Sequence, residues 1–169
     1  MSQLHPYKNI MPRIGQKVWL APGAQIVGDV EIGEQAGIWY NCVIRGDVND
    51  IKIGPRTNIQ DGTVIHVSST LQGTYIGADV TVGHMALLHA CTIEDGAFIG
   101  MKACVMDGAY VERGAMVAAG ALVTPGKRVP SGQLWAGSPA KFMRNLTEAE
   151  QAHILYSAKH YVELAARYL

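Results

Sequence analysis

Four kinds of reactive side chain crowd into residues 45–92: the imidazoles His66, His84 and His89, the amides Asn58 and Gln60, the carboxylates Asp47 and Asp61, and the guanidinium of Arg45. Three of the chain's six histidines lie in this stretch. Neutral imidazole is the commonest side-chain ligand of a divalent transition metal. Three such rings without a fourth protein ligand make the open arrangement of a catalytic centre, whereas structural sites are closed. A cation held in this way lowers the pKa of its bound water to about 7 and so offers hydroxide at neutral pH. Isolated histidines are usually solvated surface residues, so the metal reading depends on what brings these rings together.

A six-residue repeat does so. One aliphatic residue recurs every six positions at Ile14, Leu20, Ile26, Ile32, Ile38 and Ile44. The register resumes after a short insertion at Ile53, Ile59 and Ile65, and after a loop at Ile76, Val82 and Leu88. One hexad then loses a residue, and the series runs on through Ile93, Ile99, Val105, Val111, Val117, Val123 and Val129. Four residues after each aliphatic stands a smaller one, such as Ala24, Ala36, Cys42, Thr63, Ala86 and Ala103. An α-helix would carry a six-residue period around its surface, and nineteen glycines suit no helical chain. Short strands joined by tight turns do fit. Three hexads make one triangular coil, and the count predicts about seven stacked coils, with the aliphatics filling the prism and the small residues letting it turn its corners.

The repeat also assigns faces. Counting from Ile14, every third hexad falls on the third face, at Ile26, Ile44, Ile65, Leu88, Val105 and Val123. Arg45, His66 and His89 each directly follow one of these aliphatics. They therefore form a column, with neighbours separated by the ~4.8 Å inter-strand spacing. His84 follows Val82 by two and lies on the second face, near the corner leading to the third. Within one chain it does not obviously converge with the other two rings. A second subunit supplying His84 completes the set, and a threefold ring closes with such heterologous contacts; the alternative is that His84 is an unrelated surface residue.

The bulk composition bounds the remainder. The 169 residues, 49% of them hydrophobic, suffice for one cored domain with a short appendage. With 17% charged residues and zero formal net charge, no basic cluster marks a nucleic-acid or anionic-membrane partner. Cys42, Cys91 and Cys104 are an odd, widely spaced set that reads as buried small residues of a reducing compartment. No signal peptide and no membrane span are expected, and the cytoplasm is the expected location. The division expected is an N-terminal arm over 1–13, a β-helix over 14–130, a connector over 131–146 and a helix over 147–169. Thr147-Glu148-Ala149-Glu150 reads as a capping box, and Ile154, Leu155, Ala158, Val162, Ala165 and Leu169 recur at helical spacing. His153, His160 and His5 read as solvated histidines.

Together, Arg45-x-Asp47, Asn58-x-Gln60-Asp61-Gly62, His66, His84 and His89 inside the hexad frame resemble the gamma-class carbonic anhydrase family and its bacterial carbonic-anhydrase-like members. The late segments Leu134-Trp135-Ala136-Gly137-Ser138-Pro139-Ala140 and Tyr156-Ser157-Ala158 resemble the bacterial subgroup. The resemblance implies an all-β fold, a left-handed parallel β-helix with a C-terminal α-helix. It also implies a homotrimer with Zn²⁺, alternatively Fe²⁺, held between protomers by His66 and His89 of one and His84 of the next. The implied activity is reversible hydration of carbon dioxide to bicarbonate by metal-bound hydroxide. Gln60 resembles the residue that orients hydroxide or substrate, and Arg45, Asp47 and Asp61 resemble a charged cluster joining subunits. The alternatives are surface ion pairs for Arg45 and Asp47 and a turn role for Asn58.

The chain departs from the family pattern at two places. The loop Val67-Ser68-Ser69-Thr70-Leu71-Gln72-Gly73 holds no acid where well-studied members carry a proton-shuttle glutamate, and Val48 replaces a second glutamate. Many such short-loop members are weak or inactive anhydrases. Tyr156 and Tyr161 can approach the site from the helix or simply pack. Two other readings stay open: a coenzyme A-dependent hexapeptide acyltransferase, and a metal-binding family member with little turnover.

Overall fold

The computed structural model describes residues 3–169. The hexads form a parallel β-helix of about seven turns, closed on one flank by a single C-terminal helix. All three aliphatic columns stack in the register the repeat demands. On the third face Ile26 pairs with Ile44, Ile44 with Ile65, Ile65 with Leu88, Leu88 with Val105, and Val105 with Val123. Most of these side chains are fully buried, and together they make one continuous core. Each contributes on the order of 1.5–3 kcal/mol relative to exposure.

The small residues of the second set are also inside: Ala24, Ala36, Cys42, Thr57, Thr63 and Val80 are all inaccessible to solvent. They fill the corners, but they do not make the turns. That falls to the preceding position, which takes a left-handed backbone at Gln35, Arg56, Asp79, Gly96, Gly114 and Gly132 along one corner. Glycine directly after an aliphatic has a different cause: a Cβ on Gly54 would lie 2.4 Å from the backbone of Gly77 in the next coil. Coils can approach this closely only where that atom is missing.

The three faces differ outside the core. The first carries Arg13, Glu31, Lys52, Tyr75, Thr92, Tyr110 and Arg128 in register, a polar ladder open to water. The second is covered by the helix Glu148–Ala165, whose Ile154, Ser157, Ala158 and Ala165 are buried. The third presents Val43, Val64, Leu87, Cys104 and Leu122 in register, an apolar column in which Val64 and Leu87 are each 39% exposed.

Thr147 caps the helix with the reciprocal capping box, and Arg144 grips Glu150 through two contacts of 2.7 Å. Leu155 and Leu169, which the helical spacing places with the core, are both exposed: Leu155 lies off the docked stripe of 154, 157, 158 and 165, and Leu169 lies beyond the helix, which ends at Ala165. Ser157 and Ala158 are small enough to bring the helix against the sheet, where Ser157 and Thr81 hydroxyls meet at 3.1 Å. Within the stretch expected to be a connector, Gln133–Ala136 stacks on Met116–Val117 and turns back as an antiparallel hairpin with Lys141–Asn145. In the N-terminal arm, Leu4–His5 adds a parallel strand to Gln25–Ile32, and the His5 ring pairs with Gln25 at 2.7 Å. His5 is thus held by a partner strand and is not freely solvated. Among the described residues no helix is long and apolar enough to cross a membrane.

Candidate metal centre

The departures from the hexad rule gather at the corner between the third and first faces. Residues inserted after Ile44 let Val43–Ile53 bulge around this corner, with a register irregularity opposite Gly28 and Val30. The bulge carries Asp47 towards the next coil, where its Oδ1 meets His66 Nε2 at 2.9 Å. The longer insertion after His66 forms the loop that returns at Thr74, whose hydroxyl donates to the His66 carbonyl at 2.6 Å. His66 is therefore held by both its ring and its backbone.

His66 and His89 are register partners on adjacent strands. Their rings lie 5.3 Å apart between centroids, and His66 Nδ1 faces His89 Nε2 at 3.3 Å. Each ring's other nitrogen is bound to a carboxylate, His66 to Asp47 and His89 Nδ1 to Asp107 Oδ2 at 3.0 Å. Burial alone would raise the Asp47 carboxyl, but hydrogen bonds from His66 and Arg45 outweigh it and hold the group below the ordinary aspartate range. An ionised carboxylate only accepts, so the proton of each neutral ring sits on the carboxylate side. The facing nitrogens then present lone pairs to each other. Two ligand nitrogens about 2.05 Å from a tetrahedral cation stand ~3.3 Å apart, so the opening matches a zinc-type ion. Carboxylates behind ligand imidazoles also fix the tautomer and raise the ligand basicity.

His84 lies on a different edge. Asp61 and His84 occupy the same position of second-face hexads in successive coils, and His84 Nδ1 meets Asp61 Oδ2 at 2.7 Å. Thus the third imidazole also has a carboxylate partner and leaves Nε2 available. Among the described residues of one chain, no three His, Cys, Asp or Glu side chains come together to hold a metal. The structure brings together His66 and His89; it leaves His84 with Asp61 at the other corner, beside exposed Met85 and Met101.

Gln60 and Asn58 are both buried. Gln60 Nε2 donates to Asn58 Oδ1 at 3.1 Å, and Asn58 Nδ2 donates to Thr81 Oγ1 at 2.9 Å. Asn58 is therefore a strand residue (Asn58–Ile59) that supports Gln60, and it makes no turn. Arg45 pairs with Asp47 and remains about half exposed. Tyr156 is 61% exposed on the helix, in a groove of about 390 Å³ that Gln60 and His84 also line. Cys42 and Cys91 are pushed up to about 12 by burial, as inert core thiols would be. Asp107 is absent from the sequence expectations. Its available signal was an acid two residues after Val105, one coil beyond the candidate ligand His89.

A family model for the bacterial transferase hexapeptide (six repeats) matches residues 11–46. The chain is 54% identical over 159 residues to the gamma carbonic anhydrase 2, mitochondrial, of Arabidopsis thaliana, covering 91% of this chain but only 57% of that protein. It is 44% identical over 165 residues to a carbonic anhydrase of Geobacillus kaustophilus, covering 98% of this chain and 90% of the relative. A solved hexapeptide transferase family protein from Anaplasma phagocytophilum superposes with a TM-score of 0.95 at 49% identity, over 98% of each chain. Having relatives of this identity along nearly its whole length, the chain belongs to the gamma carbonic anhydrase family of hexapeptide-repeat proteins.

Proposed function

We propose that this chain forms a homotrimeric carbonic anhydrase of the cytoplasm, hydrating carbon dioxide to bicarbonate reversibly at a Zn²⁺ or Fe²⁺ centre between subunits. His66 and His89 of one subunit and His84 of the next would hold the ion. The observation that carries the reading is the 3.3 Å opening between His66 Nδ1 and His89 Nε2, with Asp47 and Asp107 behind the rings. The bound ion supplies a water whose pKa is lowered to about 7.

The surface supports an assembly of this kind. The third face is apolar where the first is charged and the second is covered, so it is the flank suited to a second copy. His84 sits with Met85 and Met101 at an exposed apolar corner, the complementary patch for such a face. A corner docked on the neighbour's third face carries His84 towards the His66–His89 pair.

The chain's own residues then divide the tasks. Asn58, anchored by Thr81, holds the Gln60 amide in one orientation, where it can fix the attacking oxygen or the substrate. The Arg45 guanidinium places a cation where bicarbonate, the anionic product, is formed and released. Phe98, Met101, Met116 and Val117 give the neighbouring groove apolar walls suited to carbon dioxide.

The deciding experiment is stopped-flow hydration on protein reconstituted anaerobically with zinc or ferrous iron, with metal content and particle mass measured on the same sample. About one metal per chain, a trimer and metal-dependent turnover are expected. A fully loaded trimer that hydrates no faster than buffer would remove the enzymatic reading and leave a metal-binding protein.

A further inference from the structure

We infer that His153 and His160, on the groove-facing side of the C-terminal helix, relay the proton released in each hydration to solvent. This rests on the proposed hydration of carbon dioxide. That reaction turns carbon dioxide and water into bicarbonate and one proton, and the proton must leave before the next turnover. The nearby acids are already engaged: Asp47, Asp61 and Asp107 each accept from an imidazole. Residues 67–73 hold no titratable side chain.

The groove offers another route. It runs between the second face and the helix, with Gln60 and His84 on one side and His153, Tyr156, His160 and Tyr161 on the other. At about 390 Å³ it has room for on the order of ten waters at ~30 Å³ each. Positions 153, 156 and 160 share one helix face. Their rings form a row: His153 and Tyr156 lie 6.3 Å apart, and Tyr156 stacks on His160 at 5.7 Å. Both histidines are exposed, so each touches bulk water and the groove at once. Imidazole is the side-chain type that exchanges protons near neutrality. Tyr161 does not compete: burial, then the charge of Asp61, pushes its phenol upward, so it stays protonated. Elsewhere on this helix Lys159 and Glu163 pair with each other at 3.9 Å, and Glu150 is held by Arg144.

In the relay, a proton lost by the reacting water passes through groove water to a ring nitrogen lone pair, giving imidazolium. A buffer base then removes a proton from that ring and restores neutral imidazole.

The test compares wild-type and H153Q/H160Q proteins as metal-loaded trimers of equal metal content. At low buffer the double variant should lose about tenfold or more in kcat with kcat/KM unchanged, and added imidazole should restore it. Independently of turnover, cobalt(II) loaded into the wild-type protein should broaden the ring protons of His153 or His160, since a two-water path spans only about 8 Å. An active wild type whose kcat is untouched by the double substitution, or rings that cobalt leaves sharp, would overturn the relay alone. A loaded wild type without hydration would overturn the parent reading and the relay with it.

Discussion

His66 Nδ1 and His89 Nε2 face each other across 3.3 Å while each ring's opposite nitrogen is bound to a carboxylate, Asp47 or Asp107. Two lone pairs held this close without a cation repel, so the pair is built to gain from one. Asp107 is the less obvious of the two supports. Removing it as D107A should weaken metal affinity by roughly 10–100-fold while the fold stays intact. Competition with a fluorescent chelator, alongside a circular dichroism melt, measures both; unchanged affinity would show that Asp107 does not orient His89.

The origin of His84 can be tested by mixing. H84A and H89A subunits should each assemble without holding metal. Unfolded and refolded together, three-quarters of random trimers contain both variants, and each of these has one intact site in three. About a quarter of the sites should therefore return if His84 comes from the neighbour. Metal analysis that finds none restored would place all three ligands within one chain.

Assembly itself should depend on the apolar third-face column. L87E puts a charge at its centre, and sedimentation should then report monomers that have lost metal but keep the β-helix. A trimer surviving this change would move the interface elsewhere.

Behind the ring pair, Ile65 is fully buried beneath the third face. I65A should destabilise the protein by about 2–5 kcal/mol, as large-to-small core changes do. Urea denaturation reads the loss, and a change well under 1 kcal/mol would mean that the coil collapses onto the gap.

The pH dependence of the helix follows from Glu150, held at about 2 first by Arg144 and then by the Thr147 backbone. A carboxylate lowered in the folded state stabilises above its unfolded range, near 4.3, and that stabilisation disappears as pH falls towards 2. E150Q should therefore melt below wild type at neutral pH, with the difference shrinking between about pH 4.3 and pH 2. A constant difference across that window would assign the loss to shape rather than charge.

Finally, the loop after His66 lacks an acid. L71E, at an exposed loop position, should raise turnover at low buffer if proton transfer limits the rate. Stopped-flow rates that stay flat would place the slow step elsewhere.

Most of the fold, and the placement of two histidines, could be read from spacing. A strict period of six leaves each aliphatic one inward direction, so Ile65 and Leu88 stack and His66 and His89 become neighbours by arithmetic. Spacing could not supply what depends on where the chain leaves the period. The bulge that lifts Asp47 to His66, the reach of Asp107 to His89, and the groove uniting His153 and His160 with His84 arise from insertions, side-chain lengths and helix docking. The helix shows the same limit: its pattern placed Leu155 inward, yet the small pair Ser157 and Ala158 decided which stripe met the sheet, and Leu169 fell beyond the helix end at Ala165. A repeat sets direction along the chain, whereas contact between distant segments depends on volumes that meet only in the folded molecule.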